Sequence, residues 1–528
     1  MDHPSVVTLE NRSAPRTLFA GDKLIEVELP AGTRCIYPKP PLEPLVDVEA
    51  AIENTLNVPD GESALYAQLY AGMKLTLVVS DNAAPLSSWR RPDIRGRILE
   101  RVLRMASQQR VTDVEIIVAT GIRRRLRADE IRNIVGEKVF ASFYPAKLYN
   151  HDAEDDPTLL EIGVTALGNR VRVNRRAAES DLVVSVSLSL GLSGGANSIA
   201  TGLSCYSSLQ SQMRRVEVEV SAQPSRDWKK PGTDGGVAAL SELVHKELKV
   251  FSIEATVNNQ VVPRSLEFLS KNEDELTVRE KGLLKGMVRA GSRLPSPLRK
   301  SLLDKLPAPL GVTGVFAGTA SRTGHKAAER NRDQYRVPVE GQADVLICPI
   351  PYLGSFSASA FLNPLLVQAL AESYLLNVCG ARPLVKRGGT LILTHPMTDH
   401  FDAEQHVPYV EFVHRVLPES PDARAMRAKH EPRFASDPAL LQMFRSGHAY
   451  HPTHPFLLWY GGEEARAYIG RVIVVGADNE YIPSLFGYET APSMSEALYR
   501  AKNGELCSLS VTCLKLPPLV MADVGGSS

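Results

Sequence analysis

The chain has 528 residues, with 60 Lys plus Arg balanced by 60 Asp plus Glu. At 44% hydrophobic and 23% charged residues it has a globular make-up and is too long for one core, so two or more domains are expected. The charge balance argues against a dedicated nucleic-acid binder, and no apolar run approaches the roughly 18 residues that span a bilayer, so neither nucleic acid nor membrane is expected as a partner.

The N-terminal segment MDHPSVVTLENRSAPRTLF lacks a charged stretch followed by an apolar one, so no secretory signal is read there. The six cysteines are scattered without a CxxC pair, which suggests neither a disulfide framework nor a zinc ribbon, and the cytoplasm is the expected location. KLTLVVS (74–80) reads as a buried strand that stops at the turn-rich DNAAPLSSWRRP. Ile94, Ile98, Leu99, Val102, Leu103 and Ala106 then share one helix face. VEIIVAT (114–120) is the next strand, and RADEIRNIVG (127–136) is a short helix closed by Gly136. KVFASFYP (138–145) and DLVVSVS (181–187) continue the strand pattern. Repeated strand–loop–helix units imply an α/β fold with a parallel, doubly wound sheet in the N-terminal domain. Ligands of such sheets collect at the carboxyl ends of strands, so the loops after Ser80, Thr120 and Ser187 are expected to share a crevice.

Residues 262–310 mix charge with Leu and Val at helical spacing and are broken by Pro295 and Pro297. A basic amphipathic helix can lie on a membrane, but acids are interspersed, so the preferred reading is a surface helical pair joining two domains. A second α/β region begins near Val337, with strands in ADVLICPI (343–350), GGTLILTHP (388–396) and RVIVVGAD (471–478). Between them NPLLVQALAESYLL (363–376) is a helix with Asn363 as N-cap and Pro364 at its first position. The expected organisation is 1–261 as N-terminal domain, 262–336 as helical connector, and 337–528 as C-terminal domain, with a cleft between the two α/β domains.

Several residue sets could carry chemistry. Asp81 leaves the first strand, where an acid can orient a hydroxyl or serve an Asx-turn. GIRRRLR (121–127) places four arginines at a strand end, suited to carboxylate or phosphate or simply to solvent. NHDAEDD (150–156) sets His151 among four carboxylates, as a base, a metal ligand or part of a capped loop. Eight of the twelve histidines fall between His395 and His454. His395 and His400 flank a strand exit and are the weak metal candidates, and His448, His451 and His454 recur every three residues. Pro452 and Pro455 keep those three from sharing one face of a regular helix. GLSGGANS (191–198) could cradle a phosphate through backbone N–H groups, but it is neither a P-loop nor GxGxxG. The missing dinucleotide fingerprint disfavours a plain NAD dehydrogenase.

Taken in order, VVSD, ATG followed by Arg, YNHDAED, LGNRVRVN, ESDLVVSV, SGGANSIATGL, IEATVNN, VFAGTASRTGHK, ADVLI and RGGTLILTHP resemble the lactate racemases of the LarA type. The resemblance covers most of the chain and is weakest over 262–310. It implies a nickel-pincer nucleotide, a nicotinate-derived cofactor that takes a hydride from the α-carbon of a 2-hydroxy acid and returns it to the other face. It also implies histidine bases, an Arg for the substrate carboxylate, and a Lys bound covalently to the cofactor. Carried over by position, Asp81 and Asn150 to Ala153, with His151 among them, match. Ala84 stands where the family has Arg, Arg123 replaces a catalytic His, and Arg124 matches an Arg. Gly194, Gly195 and Ser198 match the cofactor loop, but Asn197 stands in place of the Lys, and 186–193 carries no His. Asn cannot form the Lys-type bond, and Arg123 stays protonated and cannot be a base. Two readings follow. One is an isomerase scaffold with shifted chemistry, using Asp81, Arg123 and His151, with Arg123 and Arg124 holding an anionic substrate. The other is a non-catalytic homologue that binds a small anionic metabolite or a protein partner.

Overall fold

The computed structural model describes residues 3–81, 92–189, 196–211, 235–306, 308–352, 362–375, 382–502, 509–518 and 520–525; of 196–198, 235, 304 and 373–375 it describes the backbone. Two sheets organise the chain. The first runs, edge to edge, Val312–Gly318, Val250–Val257, Leu182–Ser189, Lys74–Ser80, Asp113–Ala119 and Leu148–Asn150. All neighbours are parallel except the Val250–Val257 and Val312–Gly318 pair. The central strands are apolar on both faces because helices cover both. Leu75, Leu77 and Val79 face one core with the helix Ile94–Gln108, while Val78 faces the other with Ile199, Ala200 and Leu203.

The second sheet runs Val6–Thr8, Arg34–Ile36, Val511–Leu514, Ala343–Pro349, Val385–Thr394, Arg471–Val475 and Glu489–Ala491. Two α/β domains with a parallel sheet in the N-terminal one are thus present, but the expected boundaries shift. Residues 6–8 and 34–36 complete the second sheet, not the first, because their partner is the C-terminal strand Val511–Leu514. Val312–Gly318, placed in the connector by pattern, is the antiparallel edge of the first sheet. KVFASFYP is also corrected: Glu137–Phe143 is a helix that buries Val139 and Phe140 in the first core, and the strand follows at Leu148–Asn150. A short apolar run does not distinguish the two states, and packing decided it.

The expected helical pair is present as Val278–Arg293 and Ser296–Asp304. It is pinned rather than free. Arg299 donates to both Asp22 oxygens at 3.1 and 3.2 Å, in the turn between the paired strands Arg16–Ala20 and Lys23–Val27. Asn363 caps its helix as expected, accepting from Leu366 N–H at 3.0 Å, but the helix continues as a π-helical turn over Ala369–Leu375. Among the described residues no helix is long and apolar enough to cross a membrane.

One close approach explains two glycines beside the cofactor-loop motif. The helix Ala196–Leu203 meets the end of Asp113–Ala119, where Gly121 N–H donates to Gly202 O at 2.9 Å. A Cβ on Gly202 would lie 2.5 Å from Ala119 Cβ, and one on Gly121, whose φ is +54°, 2.5 Å from Thr201 O. Gly202→Ala should therefore destabilise the N-terminal domain by about 1–3 kcal/mol, read as a lower denaturant midpoint. An unchanged midpoint would mean that the helix moves away at no cost.

Candidate functional site

The strands Leu182–Ser189, Lys74–Ser80 and Asp113–Ala119 are adjacent and parallel, so their carboxyl ends open at one edge. Asp81 follows the central strand, and Arg123 follows its neighbour. Arg123 Nε donates to Asp81 Oδ2 at 2.5 Å and its Nη2 to Ala119 O at 3.1 Å, while Nη1 has no hydrogen-bond partner among the described residues. Arg95, which the motif reading passed over, holds the backbone here. Its Nη1 donates to Ser80 O and Asp81 O at 2.7 and 2.8 Å, and Asp93 anchors the guanidinium at 2.7 Å.

Arg124 is committed elsewhere. It forms a two-pronged pair with Glu130, at 2.8 and 2.5 Å, and both side chains are buried. Burial would raise the Glu130 carboxyl, but Arg124 outweighs it and holds the group below the usual carboxylate range. Arg124 thus braces the arginine loop instead of facing a substrate. Asn150 clasps the same loop, donating to Leu126 O and accepting from Leu126 N–H, each at 3.0 Å.

His151 is also corrected. It is wholly buried, with Nε2 at 3.2 Å from Ser204 O and Nδ1 at 3.4 Å from Asn174 Nδ2. Both ring nitrogens serve the fold. Burial pushes its pKa down to about 4, so the ring is neutral and closed to a substrate proton. The acids beside it form a latch to the C-terminal domain: Arg445 binds Asp152 at 3.1 Å and Asp155 at 2.6 Å, and His451 Nε2 lies 2.9 Å from Glu154.

A sequence model of the lactate racemase N-terminal domain family matches residues 20–223. A lactate racemase of Lactiplantibacillus plantarum is 26% identical over 166 residues, 30% of this chain and 37% of that protein, so the match spans little more than a third of the relative's length. The fold resembles the lactate racemase apoprotein of Thermoanaerobacterium thermosaccharolyticum, with a TM-score of 0.62 at 17% identity over 96% of this chain and 100% of that one. The chain is LarA-like: residues 20–223 match the lactate racemase N-terminal domain, and the fold as a whole resembles that of a lactate racemase apoprotein. A Thermotoga maritima protein shares the fold more distantly, at TM-score 0.52 and 13% identity over 92% of this chain and 100% of that one.

Against the Arg123–Asp81 pair this LarA-like chain sets a group from its second domain that motif reading did not assemble. Tyr409 OH is 2.7 Å from His454 Nδ1, and the Tyr450 ring lies 4.7 Å from the His454 ring. His406 packs on Tyr409 at 5.0 Å. Burial pushes His454 down to about 3, with the charge of Arg123 adding to the shift, and pushes Tyr450 up to about 12. His406 is held at about 4 by burial, against the pull of Asp402 and with the charges of Arg124, Lys300 and His400. His406 Nδ1 accepts from Asp402 N–H at 3.2 Å, which leaves the proton on Nε2, a buried donor without a hydrogen-bond partner among the described residues. The one sequence signal was the crowding of His and Tyr in HAYHPTHP; nothing there shows which rings face the arginine loop.

The remaining candidates are placed as follows. His395 is buried with Nδ1 accepting from Met397 N–H at 2.9 Å, whereas His400 is exposed. Among the described residues no group of three or more His, Cys, Asp or Glu is placed to hold a metal ion. Ala84, Gly194 and Gly195 lie outside the described residues, and Asn197 and Ser198 are described only as backbone of the helix Ala196–Leu203.

Proposed function

We propose that this LarA-like protein binds a small carboxylate of the 2-hydroxy acid class in the cleft between its domains, and does so without the family's covalent cofactor attachment. One observation carries the reading. Arg123 is oriented by Asp81, keeps Nη1 unpaired among the described residues, and acts electrostatically on the Tyr409–His454 group of the other domain. A guanidinium fixed on one side and open on the other suits a carboxylate.

The residues present do not fit the covalent form of the nickel-pincer nucleotide. Position 197 is Asn, the position of the catalytic His is an Arg tied to Asp81, and His151 is sealed in the fold. The Tyr409–His454 pair, a phenol and an imidazole in hydrogen-bond contact, is buried and kept neutral like His151, so the racemase or epimerase reading draws its support from the LarA-like sequence match.

Calorimetric titration with D- and L-2-hydroxy acids and the matching keto acids tests the proposal. Saturable binding is expected, weakened about 10- to 100-fold in Arg123→Gln by loss of a charge-assisted contact. Intact mass under denaturing conditions should show no adduct. Binding indifferent to Arg123→Gln, or a covalent adduct, would overturn the reading. Racemisation of a bound enantiomer would establish the isomerase.

A further inference from the structure

The helix Val278–Arg293 carries five cations, Arg279, Lys281, Lys285, Arg289 and Arg293, and one acid, Glu280. Glu280 is used locally. It completes the capping box with Thr277 and pairs with Lys271 at 2.9 Å. Lys281, Lys285, Arg289 and Arg293 recur every four residues, which strings them along one line of the helix surface. On the flank of that line Leu284 and Met287 pack against Phe268, Leu276, Leu266 and Leu269, and the helix lies against the strand Lys23–Val27. None of the four cations forms an ion pair with an acid among the described residues.

Like charges four apart on a helix repel, so the stripe lowers the helix's own stability. Exposed aliphatic side chains accompany it. Val278, three residues before Lys281, is 90% exposed, and on the next helix Leu298 and Leu302, four apart, are 55% and 57% exposed. That next helix is fixed to the first: Arg299 donates to Gly291 O at 3.1 Å and to Leu294 O.

We propose that this helical pair is a docking surface for an anionic lipid bilayer. A row of cations without counter-ions is complementary to acidic headgroups, and unaromatic, exposed Val and Leu have no use on a nucleic-acid surface but can enter the acyl boundary. Read as a plain connector, the segment has no need of either feature. The binding is peripheral, and the two α/β domains stay outside the membrane.

The test is flotation of the full chain with vesicles. Vesicles of phosphatidylcholine with about a third phosphatidylglycerol should carry the protein, and pure phosphatidylcholine should not. Raising the salt to about 1 M should release it, because screening shortens the reach of the stripe to about 3 Å. Each cation near such a surface is worth about fivefold in affinity, so Lys281→Glu/Lys285→Glu/Arg289→Glu should weaken binding by at least about 100-fold. Leu298→Ser/Leu302→Ser should weaken it while leaving the salt dependence in place. All five positions are exposed, and circular dichroism should show unchanged helix content. Equal recovery with both vesicles, or full binding by the charge-reversal variant, would overturn the proposal. Retention on DNA or on an acidic protein without flotation would overturn it too, and reassign the stripe to that polyanion.

Discussion

Between pH 6.5 and about 4 the protein should lose stability steeply and unfold well before its carboxylates are neutralised. Four histidines are buried as neutral rings: His151, His395 and His406 are held at about 4 and His454 at about 3, with burial as the leading cause in each. In the unfolded chain each returns to about 6.5. The folded values are depressed, so the unfolded state binds the extra protons as pH falls. The stability is present in full above about 6.5 and is lost down to the folded values. Each ring contributes about 1.4 kcal/mol per pH unit in that window, so the four together contribute about 5 kcal/mol per unit. Against a net stability of roughly 5–15 kcal/mol, a drop of about one to three units suffices. Urea midpoints at closely spaced pH values would measure the slope. His151→Gln should remove about a quarter of it. A midpoint that stays level down to pH 4 would mean that these rings are protonated in the native state.

Glu273→Ala should destabilise the protein by about 3–5 kcal/mol and lower its thermal midpoint by roughly ten degrees. Glu273 Oε1 accepts from Thr17 N–H at 2.8 Å and from Lys515 Nζ at 2.6 Å, and Oε2 accepts from Tyr37 OH at 2.7 Å. Burial would raise its pKa, but Lys515, Tyr37 and Thr17 outweigh burial and keep it below the usual carboxylate range. Its side chain is 5% exposed and that of Lys515 6%. Arg16, wholly buried, pairs with the neighbouring Asp274 at 2.6 Å. Removing the carboxylate leaves the Lys515 charge enclosed with the Thr17 carbonyl but no counter-charge, which costs more than the ion pair itself contributes. Glu273→Gln keeps the shape and part of the hydrogen bonding, so a smaller loss is expected. A wild-type midpoint for Glu273→Ala would show that Lys515 reaches water or deprotonates. The network ties residues near both chain ends to the helical segment, which is why that segment does not behave as a linker.

Much of the scaffold was legible in the chain. The run 74–80, the helix that starts at Ile94, the N-cap at Asn363 and the strand 343–349 appear where pattern placed them. These depend on neighbours within a few residues, where periodicity and capping act. The same locality fails at KVFASFYP and at the domain boundaries, because strand 34–36 pairs with residues nearly five hundred positions away.

For the site, sequence alone determined the chemical inventory: the ordered LarA-like motifs, Asn at 197, Arg at 123, and the histidine-rich C-terminal region. Residue type is a covalent fact and needs no fold to be read. Only the tertiary structure decided the roles. Arg123 and Arg124 are adjacent and chemically identical, yet one sits beside Asp81 with no partner for its Nη1 among the described residues and the other is closed by Glu130. His151 and His454 carry the same ring, yet one is sealed between Ser204 and Asn174 and the other is set on Tyr409 within the field of Arg123. Burial and partners set what an ionisable group does, and both come from segments brought together by folding rather than from the neighbours in the chain.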